Sequence, residues 1–273
     1  MFKVILTYII HLNLIIATSA GFLAAGVANL FAIDSYVYYG LFGFFSTLCV
    51  YNSQRLFKAN ILAKTPWLKW VYKHRKLIVY LSLFSGLIAS IIFLKLVNNI
   101  TLTIAVLFGI ASIISFFYVV RIFGGNLREL PYIKIHSIAL TWTLVIILFP
   151  IINEKIYNWE TFLFFIPAHY VYFVGVAIPF DIRDLKYDSH KQRTIPQVVG
   201  IRNAKMIAIS LFVLTIVGVE IVFQSMYKSP VFVVAIMVQT LLIACTTLKR
   251  QEIYYSVLID GAIGLLGISY VMN

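Results

Sequence analysis

The chain has 273 residues, 62% of them hydrophobic and 12% charged, with a mean hydropathy of +0.95. Soluble domains carry about a quarter charged residues, so this composition excludes an ordinary water-soluble fold. The net charge of +12 suits nucleic acid only if it is gathered on one surface, and its distribution along the chain gives it another meaning. Apolar runs of roughly 20 residues, the length that crosses a bilayer, recur from one end to the other. Nine helical spans are predicted, at about 5–31, 35–54, 77–97, 100–120, 135–152, 160–180, 206–224, 230–248 and 254–272. The first is too long for a cleavable signal peptide and leads directly into the second. Cys49 and Cys245 fall inside spans and read as small apolar core residues.

With the N-terminus placed in the cytoplasm, the inner connections fall at about 55–76, 121–134, 181–205 and 249–253. Lys3 and these inner segments hold 19 of the 22 lysines and arginines, leaving only Lys95, Lys155 and Lys228 outside. That bias is the positive-inside rule, so the basic charge is topological and nucleic acid is not an expected partner. The expectation is one all-α domain over 1–273, multi-pass in the bilayer, with its long basic loops cytoplasmic and its C-terminus on the opposite side. The two longest inner loops follow spans 2 and 6, an offset that hints at an internal duplication.

Function is expected in those long loops. The string Asp181-Ile182-Arg183-Asp184-Leu185-Lys186-Tyr187-Asp188 holds three of only ten acidic residues. On a helix, positions three and four apart share a face, so Asp181, Asp184 and Asp188 point the same way and repel one another without a cation among them. One reading is a Mg²⁺ site holding a diphosphate. The other is a solvated loop in which Arg183, Lys186 and Lys191 pair with the carboxylates.

With Arg193-Thr194-Ile195-Pro196 and Gly200 behind it, this string resembles the second aspartate motif of the UbiA superfamily of intramembrane prenyltransferases. The resemblance covers the span pattern of nearly the whole chain. It implies a helical bundle with a central cavity, an apolar groove for a polyprenyl tail, and a prenyl diphosphate held by Mg²⁺ on Asp181, Asp184 and Asp188, the catalytic carboxylates. The family's first motif, N-D-x-x-D-x-x-x-D, is degenerate here. Asn52 remains, but Ser53, Leu56 and Asn60 stand at the aspartate positions, and no carboxylate occurs between Asp34 and Glu129.

Two expectations follow. In one, Arg55 and Lys58 take over from a lost metal and contact the diphosphate with Lys134 and Arg193, assisted by Arg121 and Arg128, while Asn52 orients the first loop. Transfer of the prenyl group to an aromatic or other acceptor is then retained. In the other, the chain is a UbiA-like lipid-binding or scaffold subunit of a membrane complex, without turnover. A transporter reading rests only on Glu220, Asp260 and the weak duplication. The basic run Lys69 to Lys76 reads as headgroup contact. The intramembrane His11, His136 and His169 read as interhelical hydrogen-bonding groups, with an acceptor-site role open for His136.

Overall fold

The structure, a computed structural model, describes residues 2–58, 66–121 and 125–273. Asn60 and Lys64 lie outside them. The described residues form helices and turns with no β-strand: α1 (Phe2–His11), α2 (Leu14–Leu30), α3 (Tyr36–Lys58), α4 (Pro66–Lys73), α5 (Arg75–Leu96), α6 (Leu102–Phe117), α7 (Ile133–Asn153), α8 (Thr161–Asp184), α9 (Ile195–Phe223), α10 (Pro230–Ala244) and α11 (Tyr254–Val271). Widened π-helical turns occur within α7 (Thr143–Leu148), α8 (Thr161–Phe165) and α11 (Tyr254–Ile259).

Among the described residues five helices, α5, α7, α8, α9 and α11, are long and apolar enough to cross a membrane, and α1 with α2 makes six if that bent pair is one span. The nine predicted spans are therefore not all of that kind. Helices α6 and α10 have 16 and 15 residues, short of the roughly 20 a bilayer asks for. Helix α3 has 23 residues, but its tyrosines, glycines and the Asn52-Ser53-Gln54 run dilute its hydropathy. Outward faces are apolar, as at Leu83 (67% exposed), Leu87 (61%) and Leu94 (66%) on α5. Continuous surface of this kind marks contact with lipid or protein.

Several expected inner loops are shorter than the sequence suggests, because helices run on through charged residues. Arg55 and Lys58 form the last turn of α3, and Asp181 and Asp184 the last turn of α8. Helix α9 begins at Ile195, eleven residues before its predicted start at 206, because Thr194 and Pro196 are good helix-opening residues. Its first turn is separated from the rest by Gly200, at φ 78° and ψ 164°, a conformation side-chain-bearing residues avoid.

The larger core joins α2, α7, α8, α9, α10 and α11 around Tyr172, Phe212, Tyr255 and Tyr270. A second core, between α3, α5, α6 and α7, is built on Tyr39, Phe42 and Phe149. The Phe149 ring meets Phe108 at 5.0 Å and Phe42 at 5.2 Å.

Helices α1 and α2 meet at 54°, and Asn13 at the break has φ 61°. Asn52 pins this break. Its Nδ2 donates to Leu12 O (3.0 Å) and Leu48 O (2.9 Å), and its Oδ1 accepts from Asn13 Nδ2 (2.9 Å). The amide expected to orient a substrate loop is thus fully used in holding α1 to α3. Asn52→Ala strands these buried groups and is expected to cost about 1–3 kcal/mol, read as a lower unfolding midpoint in detergent.

Candidate functional site

The three carboxylates of the Asp-rich string converge, but not on one continuous helix. Helix α8 ends at Asp184, and Asp188 returns through a turn in which its N–H donates to Asp184 O (2.9 Å). Further on, the side-chain Nε2 of Gln197 donates to Ser189 O (3.2 Å), and Thr194 N–H donates to Gln197 Oε1 (2.9 Å). Tyr132 N–H donates to Gln192 O (2.8 Å), which brings the start of α7 against this turn. The Arg-Thr-x-Pro segment therefore opens α9 and anchors the turn carrying Asp188.

Lys134, in the first turn of α7, reaches into the middle of the carboxylates. Its Nζ lies 2.9 Å from Asp181 Oδ1, 3.4 Å from Asp184 Oδ2 and 2.5 Å from Asp188 Oδ2. Arg128 Nη2 is 3.3 Å from Asp188 Oδ1 and 3.7 Å from Asp184 Oδ2, and Arg183 Nε is 2.8 Å from Asp184 Oδ1. Arg183 Nη1 also meets Glu252 Oε1 at 3.2 Å. Side-chain exposure is 6% for Lys134, 3% for Asp181 and Asp188 and 15% for Asp184, against 27% and 28% for Arg128 and Arg183. This is a buried cluster with two partly open guanidiniums, not the solvated loop. Arg183 pairs as that reading expected; Lys186 and Lys191 are exposed.

Electrostatics explain the arrangement. A helix C-terminus is the negative end of its dipole and disfavours carboxylates, yet Asp181 and Asp184 sit in the last turn of α8. Lys134, Arg128 and Arg183 stand against the three carboxylates, with Arg183 shared with Glu252. Burial works against the charge of Arg128, but Tyr118, Asp184 and Asp188 hold its pKa above the ordinary value.

The remaining expected residues separate. Lys58 lies within electrostatic reach of Arg128, Lys134 and Asp184, with its Nζ 4.9 Å over the Tyr118 ring. Arg55 donates from Nη1 to His11 O (3.0 Å) and stacks at 3.8 Å on Trp67; it lies within reach of Asp260 and Arg183. Arg193 is exposed at φ 46° and outside the cluster, because the turn that opens α9 directs it away. Arg121 pairs instead with Glu129 at the surface (2.7 Å). Tyr118 and Glu252 were not singled out from sequence; one Tyr among 17 and a loop carboxylate carry no local signal.

The intramembrane polar residues resolve largely into structural bonds. His169 Nδ1 donates to Phe165 O (2.8 Å), so its Nε2 accepts from Tyr270 OH (3.1 Å). Glu220 accepts from Tyr227 N–H and so closes the turn after α9. His11 is bonded to Thr7 O and packs on Trp70. His136 differs. It is hydrogen-bonded to Tyr170 OH (2.6 Å) in an open, apolar cleft of about 540 Å³, with Ile114, Ile133, Leu140 and Ile166 in its walls. This cleft and the ion cluster use neighbouring residues of α7, Ile133 and Lys134.

Mg²⁺ demands near-octahedral oxygen ligation at about 2.0–2.1 Å. Among the described residues no group of three or more His, Cys, Asp or Glu side chains is arranged to hold a metal. Asp181 Oδ2 is buried and without a hydrogen-bond partner, but Lys134 Nζ stands between the three carboxylates. With Lys134 there, the donor set does not fit a resident Mg²⁺. No family model, curated protein or solved structure matches the chain.

Proposed function

We propose that this chain is a UbiA-like intramembrane prenyltransferase, moving a polyprenyl group from its diphosphate to an aromatic or other acceptor. The observation that carries the reading is the convergence of Asp181, Asp184 and Asp188 with Arg128, Lys134 and Arg183 beside an apolar cleft, at one end of a bundle of bilayer-length helices. The expected orientation puts that end in the cytoplasm, with the C-terminus opposite.

In this reading the diphosphate meets the open guanidiniums of Arg128 and Arg183, with Lys58 and Arg55 adding charge. Arginine suits phosphate because its fork donates two parallel hydrogen bonds. The carboxylates act as positioning groups that hold these cations, and the prenyl tail lies along the apolar cleft. The bond between the allylic carbon and the diphosphate oxygen breaks, and its electron pair leaves with diphosphate. The acceptor forms the new bond to that carbon and gives up one proton. Fixed cations facing the departing diphosphate stabilise the charge that develops there.

The second reading, a lipid-binding or scaffold subunit without turnover, is favoured by one observation. Ser53 and Leu56 replace first-motif carboxylates while Asn52 is bound up in the α1–α2 break. Purified protein given labelled prenyl diphosphates and a panel of acceptors separates the two. Diphosphate release is expected, falling about 10²-fold or more in Arg128→Ala, the order seen when one transition-state hydrogen-bond donor is removed. Donor binding with no release from any donor establishes the second reading.

A further inference from the structure

A Lys ammonium carries three N–H donors and no acceptor. Lys134 faces three carboxylates: its Nζ donates to Asp188 Oδ2 at 2.5 Å and Asp184 Oδ2 at 3.4 Å and pairs with Asp181 Oδ1 at 2.9 Å, so its charge is directed at the carboxylates. We infer that Lys134 is the site's built-in cation: its ammonium occupies the position a divalent ion would take, so anion binding here proceeds without a metal. For the identity of the anion this rests on the prenyl diphosphate reading; for the cation it rests on the geometry alone.

Three observations support it independently. First, each carboxylate already has a cation beside it: Lys134 at Asp181, Arg183 at Asp184 and Arg128 at Asp188, with Arg183 shared with Glu252. Second, Lys134 is 5% exposed, and a divalent ion taking its place strands a buried ammonium without partners, which is strongly unfavourable. Third, the opposite wall brings cations instead of ligands. Helix α3 carries Ser53 and Leu56 where carboxylates would complete a second metal clamp, and Lys58 is within reach of Lys134 and Asp184.

The same geometry reassigns Lys134. Expected from sequence to touch phosphate, it is buried and turned onto the three carboxylates instead. Each guanidinium has five N–H donors. Arg128 uses Nη2 on the cluster, while Arg183 uses Nε and Nη1. Both retain donors and accessible surface. Phosphate recognition therefore belongs to Arg128 and Arg183, with Lys134 positioning the carboxylates that aim them.

The test is a Mn²⁺ titration followed by electron paramagnetic resonance, with unfolding midpoints in Mg²⁺ and in EDTA. Wild-type protein is expected to bind no stoichiometric Mn²⁺ and to unfold at the same midpoint in both media. Lys134→Ala is expected to gain a Mn²⁺ site and a Mg²⁺-dependent rise in midpoint. A stoichiometric Mn²⁺ in wild-type protein that Asp184→Asn abolishes overturns the inference, and this arm decides the matter even if Lys134→Ala does not fold. Farnesyl diphosphate binding supplies the second arm. Equal affinity in EDTA and Mg²⁺ supports the inference. Binding only with Mg²⁺ overturns it and leaves the prenyl reading intact. Binding in neither medium, with wild-type protein silent to Mn²⁺, sinks the prenyl reading and supports the built-in cation.

Discussion

Gly267→Ala is expected to destabilise the bundle by about 3 kcal/mol, the upper end of the usual cost of overpacking, and Gly267→Val by more. A Cβ at Gly267 falls 2.3 Å from Leu23 N and Phe22 C and 2.5 Å from Phe22 O, and one at Gly26 falls 2.3 Å from Gly267 O. These are backbone atoms, so relief requires α2 and α11 to move apart along their shared length. Small residues at such crossings let helix backbones approach closely, and Gly264 against Ser19 continues the same seam. Asn29 Nδ2 ties α2 to the end of α11 through Tyr270 O and Val271 O (3.3 Å each), and separation breaks these bonds as well. Gly109→Ala is the control: nothing lies within 4 Å of its added methyl, and helix propensity gains about 1 kcal/mol at most. Denaturant unfolding in mild detergent reads both. A Gly267→Ala midpoint equal to wild type rejects the backbone contact.

Lys134→Ala is expected to cost about 3–5 kcal/mol, as when one partner of a buried ion pair is removed. Three carboxylates then share a buried pocket with only Arg128 and Arg183 to offset them, and Asp181 keeps no ion-pair partner. The comparison variant is Arg121→Ala, which removes an exposed pair with side chains 68% and 38% accessible and is expected to change stability by about 1 kcal/mol or less. Equal losses for the two variants in the same unfolding assay show that burial of the cluster contributes nothing. Lys134→Arg keeps the charge but not the compact three-way donor, and its midpoint is expected between the other two.

Much of this molecule is legible in its sequence because the relevant quantities are local. Apolar run length announces bilayer-length helices, and α5, α7, α8 and α9 contain most of their predicted spans. The spacing of Asp181 and Asp184 places both in one turn, and their mutual repulsion announces a cation nearby. Thr194 and Pro196 mark a helix start wherever they stand, although the prediction set that start eleven residues late by following hydropathy alone. The short helices α6 and α10 and the diluted α3 show where apolar run length overstates a span.

What the sequence by itself determined is the all-helical, membrane-compatible chain and the demand for positive charge among three carboxylates. Which positive charge answers that demand was decided by the tertiary structure. Lys134 lies 47 residues before Asp181 in the chain, and only the packing of α7 against α8 brings its ammonium among the carboxylates. Elsewhere in the fold, the turn that opens α9 exposes Arg193, and the packing of α3 commits Asn52 to the α1–α2 break and places Arg55 on Trp67. Coulomb attraction and hydrogen bonding act over a few ångströms of space and take no account of sequence separation. A local pattern can therefore state that a buried charge needs a partner, while only the packed helices select it.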